Sequence, residues 1–93
     1  TDQDRYMGTP TLVVEILSSS SRTKDMIDKL NTYRLSGVQE YWIVDPRQEN
    51  IIIYHLENYE IERYKVYEQG DIAQSVVFAG LAVPVTELFG NVV

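Results

Sequence analysis

A single acid, Glu15, interrupts Leu12-Val13-Val14-Glu15-Ile16-Leu17, a run that is otherwise wholly aliphatic. A continuous apolar run of this length reads as a strand covered on both faces. Alternation puts Val13, Glu15 and Leu17 on one face and Leu12, Val14 and Ile16 on the other. The carboxylate therefore shares its face with a valine and a leucine. An ionised carboxylate there costs several kcal/mol, roughly, unless a cation or hydrogen-bond donors meet it. The expected partner is a metal ion, a lysine, or both, with Glu15 largely buried.

The rest of the chain reads around that strand. Thr9-Pro10 opens it, since proline is tolerated at a strand start, and residues 1–9 are expected to be loose. Ser18-Ser19-Ser20-Ser21 forms a hydroxyl-rich loop. A helix is expected from about Thr23 to Ser36, with Met26, Ile27, Leu30 and Tyr33 as its apolar stripe and Gly37 as its left-handed stop. Asp25 in the first turn suits the helix dipole. Glu40 to Val44 reads as a second buried strand, closed by Asp45-Pro46. Ile51 to Leu56, Ile61 to Tyr67 and Ser75 to Phe78 read as further strands separated by turns, and Pro84 to Phe89 as a closing helical turn. This order predicts an α/β fold: a mixed β-sheet with a packed helix, followed by antiparallel hairpins.

Composition excludes several classes. The 93 residues make one small domain or part of a larger one, and 44% hydrophobic content rules against disorder. With no cysteine, disulfides and thiolate metal sites are excluded, and a reducing, cytoplasmic setting fits. No apolar run approaches the roughly 20 residues of a membrane span, and no signal peptide is visible. The chain opens on Thr1 rather than methionine, which suggests trimming or a fragment. The net charge of -6 argues against a broad electrostatic grip on nucleic acid. The excess acid lies beyond Gly37, however. A basic strip of Arg22, Lys24, Lys29 and Arg34 survives before it, and the bland reading of that strip is a solvated helix face.

Lys29 is the natural partner for Glu15, because a helix following a strand usually packs back on the same sheet. Asp25 and Lys29 are four residues apart and share a helix face. Spacing alone favours a structural ion pair over a reactive one. His55 is the sole histidine, so no second imidazole exists to build a zinc site with it, and it reads as a cross-strand packing residue. The serine run is a nucleophile only if His55 lies beside it. Most of the seven tyrosines fall in predicted strands or on the helix's apolar stripe and read as core or sheet pairs rather than a base-stacking platform, and Trp42 reads as core.

Three segments taken together are more specific: Pro10 to Ser18, Asp25 to Tyr33, and Gly37-Val38-Gln39-Glu40-Tyr41-Trp42-Ile43-Val44-Asp45-Pro46. With Gly80-Leu81 and Glu87-Leu88-Phe89, they resemble the Uma-two family of endonuclease-like proteins over about residues 9–89. Those are similar in turn to restriction endonucleases of the PD-(D/E)XK superfamily. The resemblance implies a restriction-endonuclease-like core, of which residues 1–93 form the C-terminal part of a longer domain. It implies a metal-dependent nuclease that uses magnesium or manganese and acts on nucleic acid, expected to be DNA. Glu15 fits the metal-binding acid. The lysine expected two positions on is Leu17 here, so Lys29 would replace it, with Asp25 and Tyr33 matching family positions that orient it. The acid before the Leu-Val-Val-Glu run is Thr11, and neither Asp2 nor Asp4 sits where it could stand in for the first metal ligand. The alternative is a non-catalytic module in which a buried Glu15–Lys29 ion pair is structural and an exposed apolar sheet surface drives homo-oligomerisation.

Overall fold

The computed structural model describes residues 9–89; the expected looseness of residues 1–9 falls outside it except at Thr9. Strand β1 (Leu12–Ile16) leads into helix α1 (Thr23–Ser36), which returns the chain to β2 (Glu40–Asp45). A crossover of this kind makes the two strands parallel, and Glu15 pairs with Ile43. Strands β3 (Asn50–Glu57) and β4 (Glu60–Tyr67) follow as an antiparallel meander, giving the order β1-β2-β3-β4. Asn58 and Tyr59, both with positive φ (56° and 64°), make a two-residue turn between β3 and β4 whose twist matches the strands. A separate hairpin of β5 (Ile72–Gln74) and β6 (Ala82–Pro84) ends in the short helix α2 (Val85–Phe89). No helix among the described residues is long and apolar enough to cross a membrane.

Helix α1 stops where expected. Gly37 takes the left-handed conformation at φ 91°, and the Val38 N–H donates to the Tyr33 carbonyl at 3.1 Å. Its apolar stripe is narrower than the sequence suggests. Met26, Leu30 and Tyr33 pack on the sheet, whereas Ile27 lies 53% exposed. Together with Val38, Tyr41, Ile43 and Leu56 they form the core on the helix face. On the opposite face Trp42, Val44, Ile51 and Ile53 are covered by Ala73 of β5 and Val85 of α2.

Two of the strand expectations fail, each for a tertiary reason. Ser75 to Phe78 is not a strand. The backbone N–H groups of Val76 and Val77 donate instead to Glu40 Oε1, at 2.9 and 2.8 Å. Glu40 is fully buried, and its other oxygen accepts the Trp42 indole N–H at 2.6 Å. A buried carboxylate must be met by donors, and these three meet it. Strand β1 is also not covered on both faces. It lies at the sheet edge, and on the face opposite α1 Val14 is 49% and Ile16 69% exposed. The apolar run that reads as two-sided burial is one-sided among the described residues.

Glu40 therefore pins the loop between β5 and β6 to the sheet. Glu40→Gln keeps one oxygen for Val76 and Val77 but turns an NH2 toward the indole N–H. The substitution should lower unfolding stability by about 2 kcal/mol, the scale of a lost hydrogen bond to a buried charge. Urea denaturation should show a lower midpoint with an unchanged slope.

Candidate functional site on the helix face

Alternation along β1 turns Glu15 toward α1, where the helical spacing of Lys29 and Tyr33 puts both side chains on the face above it. The Lys29 ammonium donates to Glu15 Oε1 at 3.0 Å, and the Tyr33 hydroxyl donates to Glu15 Oε2 at 3.0 Å. Each carboxylate oxygen thus has one partner and keeps lone-pair capacity for another. The Glu15 side chain is 27% exposed and that of Lys29 53%. The carboxylate is half-buried rather than largely buried, because among the described residues β1 is the outer strand of the sheet and solvent reaches Glu15 from that side.

The electrostatics follow from these contacts. The Lys29 hydrogen bond, opposed by burial and aided by the Tyr33 hydroxyl, holds the Glu15 carboxyl below its ordinary pKa. Reciprocally, the hydrogen bond to Glu15 raises the Lys29 ammonium. Burial first, and the bond to Glu15 second, raise the Tyr33 phenol. Asp25 reaches Lys29 only through space, as a minor contribution that favours the charged ammonium. Tyr33 therefore meets the carboxylate itself, where sequence reasoning paired it with the lysine. The signal was available: Lys29 and Tyr33 are four apart on one helix face.

Tyr33 also begins a row of rings across the sheet. Its centroid lies 5.0 Å from Tyr41, Tyr41 lies 6.3 Å from Tyr54, and Tyr54 lies 5.5 Å from Tyr64. These are cross-strand neighbours, Tyr41 opposite Tyr54 and Tyr54 opposite Tyr64. Burial pushes the Tyr41 phenol up, and Glu15 contributes after it. The tyrosines are thus sheet pairs that wall the carboxylate on its inner side.

Other candidates separate from the site. His55 lies opposite Glu40, at the end of the sheet where β1 begins, and its Nδ1 meets Glu62 Oε1 at 2.8 Å. The serines follow the other end of β1 and bond among themselves, Ser18 Oγ to Ser20 Oγ at 3.0 Å. Among the described residues no serine–histidine pair forms. The basic strip is largely absorbed by local partners. Lys24 pairs with Asp28 at 3.2 Å, and Arg34 donates to Asn31 and, at 2.8 Å, to the Tyr59 carbonyl.

A sequence model described as "Putative restriction endonuclease" matches residues 1–86, nearly the whole chain. The chain belongs to the Uma2 family. Its fold is similar to the crystal structure of a protein from Anabaena variabilis, titled a putative nuclease belonging to DUF820, with a TM-score of 0.73 and 21% identity. The match covers 90% of this chain and 46% of that one, so the Uma2 chain spans about half the length of its structural neighbour. No curated protein matches the sequence. The mixed sheet with its packed helix and trailing hairpin is thus an arrangement shared with a nuclease-like fold.

The three-way contact at Glu15 has a direct titration signature. Lys29→Met should raise the Glu15 pKa, and Tyr33→Phe should raise it less, read by carboxyl-resolved NMR. The sign for stability follows from the two opposite shifts. The lowered Glu15 contributes stability that is present above its unfolded pKa and lost as pH falls through its folded pKa. The raised Lys29 contributes stability present below its unfolded pKa and lost as pH rises through its folded pKa. The stability difference between wild type and Lys29→Met should therefore be flat near neutrality and shrink at both extremes.

Proposed function

We propose that this chain carries part of the active site of a metal-dependent nuclease that hydrolyses phosphodiester bonds of nucleic acid, with DNA as the substrate. The observation that carries the reading is a strand-borne carboxylate, solvent-accessible at a sheet edge, with a helix-borne ammonium 3.0 Å away. Family membership and the fold of the Anabaena neighbour support it.

The donor chemistry fits magnesium or manganese, which take carboxylate oxygens. The count does not: among the described residues no group of three His, Asp or Glu side chains comes together. Magnesium is held by one or two carboxylates together with waters and substrate phosphate. In this reading Glu15 is one ligand, using the lone pairs that Lys29 and Tyr33 leave free, and the further acid lies outside the described residues. When bound, the ion would polarise the phosphate and lower the pKa of water. Lys29 would stabilise charge developing on the phosphate, since its half-exposed ammonium can swing from Glu15 toward an anion at small cost. Tyr33 would keep Glu15 oriented while Lys29 moves. Asp25 would hold the ammonium charged from one turn away.

A second reading has its own support. Both Glu15 oxygens are already satisfied within the chain, as a purely structural ion pair would have them. Manganese separates the two. Titrated into the isotope-labelled chain, it should broaden resonances around Glu15, and the effect should vanish in Glu15→Gln. Absence of broadening there, or broadening elsewhere, would leave the structural reading. This chain by itself should show no efficient cleavage with either metal. In the whole protein Lys29→Met should slow cleavage by about 100-fold or more, the scale of a lost electrostatic stabiliser.

A further inference from the structure

Beyond Gly37 the chain is strongly acidic, and its only bases there are Arg47, Arg63 and Lys65. Two of those three, with the one histidine, line a single cleft on the face of the sheet opposite α1. Alternation explains the grouping. Arg63, Lys65 and Tyr67 stand at alternate positions on β4, opposite His55, Ile53 and Ile51 of β3. That puts them on the side of Trp42 and Val44, beside the β5–β6 hairpin. Gln74 at the end of β5, with Ser75 and Val76 after it, forms the facing wall, and Ile53 and His55 form the floor. The result is a groove of about 500 Å³.

Both walls are held in place, and no acid lines the groove. On the hairpin side Glu40 takes the backbone amides of Val76 and Val77, and the Ser75 N–H donates to the Leu81 carbonyl at 2.9 Å. On the β4 side Glu62, which does not line the groove, meets His55 Nδ1 at 2.8 Å and Arg63 Nε at 3.2 Å through one carboxylate oxygen. A guanidinium has five N–H donors, so this contact leaves others available. The Lys65 ammonium lies 5.0 Å from the Tyr67 ring centroid and meets no carboxylate among the described residues. Across from the cations, the Ser75 hydroxyl accepts from the Phe78 N–H at 2.9 Å and keeps its own proton to donate. Gln74 adds an amide NH2 to the same wall.

We propose that this groove holds the phosphodiester backbone of a single nucleic-acid strand, as a contact separate from Glu15. Cations and neutral donors facing one another recognise oxyanions. Arg63 and Lys65 stand two strand rises apart, about 7 Å, and cations in file suit a chain of phosphates better than one isolated ion. Tyr67 places an aromatic ring beside them, the other component of grooves that track single strands. The volume equals that of a cube about 8 Å on a side, less than the roughly 12 Å width of one major groove, so a strand fits and a duplex does not. A net charge of -6 opposes a broad electrostatic grip, but the field inside a cleft follows its own lining, which here is cationic. Glu15 lies on the opposite face of the sheet, so the groove holds the strand and takes no part in the reaction. The inference rests on the reading of this chain as a protein that acts on nucleic acid.

The test is an NMR titration of the isotope-labelled chain with oligodeoxythymidylate in the presence of a chelator, so that it and the manganese experiment at Glu15 fail separately. The amides of Arg63, Lys65, Gln74 and Ser75 should shift. Affinity should fall with salt on a log–log slope of about -1.4, the value for two phosphates of a single strand. Arg63→Gln and Lys65→Gln should each weaken binding about 5-fold and halve that slope. Gln74→Glu sets a carboxylate in the groove and should weaken binding about 10-fold or more, with circular dichroism unchanged in all three variants. Absence of shifts at these amides would overturn the proposal, as would shifts that the folded variants leave intact. So would a duplex of the same sequence, inorganic phosphate or polyglutamate binding there as tightly as the oligonucleotide.

Discussion

Strand β2 is buried on both faces from Glu40 to Val44, and the elements that cover those faces are placed by it. Helix α1 covers Tyr41 and Ile43, while the β5–β6 hairpin and α2 cover Trp42 and Val44. Burial of this kind excludes water from both sides of a strand, so each polar group on it must be answered by protein. Glu40 is the one charged side chain that β2 buries completely, and it is answered by an indole and two backbone amides. The loop after β5 owes its path to that carboxylate more than to its own strand-forming sequence.

The parallel placement of β1 against β2 has a chemical consequence. It sets Glu15 one strand outward from the buried centre, where helix α1 still reaches over it but solvent does too. Deeper in the sheet the same carboxylate would need complete compensation, as Glu40 does. At the edge it keeps a charge with only two donors and retains capacity to bind a further cation or donor. The contrast between Glu40 and Glu15, two strand-borne acids in one small sheet, separates a carboxylate closed off by three donors from one that keeps spare acceptor capacity and solvent access. The tyrosine row Tyr33–Tyr41–Tyr54–Tyr64 fixes the inner wall of the site and leaves its open side toward the β1 edge.

Much of this was legible in the residues. The helix from Thr23 to Ser36 with its Gly37 stop is written in local spacing and in one backbone conformation that glycine adopts freely. The strand at Glu40 to Val44 and the approach of Lys29 to Glu15 follow from periodicity and the habit of crossover connections. What periodicity could not give was the number of covered faces on β1. An aliphatic run looks the same whether one side or both are buried, and Ile16 at 69% exposure is an aliphatic residue that the described residues leave uncovered. The Ser75–Phe78 assignment failed for a related reason, since β-propensity measures fit to a pleated surface and yields to a stronger long-range bond.

By itself, then, the sequence determined the family, the elements from β1 to β4 and the pairing of one acid with one lysine, the last two because they rest on residues near in sequence or on adjoining elements. Only the tertiary structure decided that Tyr33 completes the contact at Glu15, that Glu40 rather than Glu15 is the buried carboxylate, and that Val14 and Ile16 of β1 stay exposed among the described residues. Those facts depend on which surfaces meet across the sheet. Solvent exposure is a property of the assembled layers, and no spacing rule along the chain encodes it.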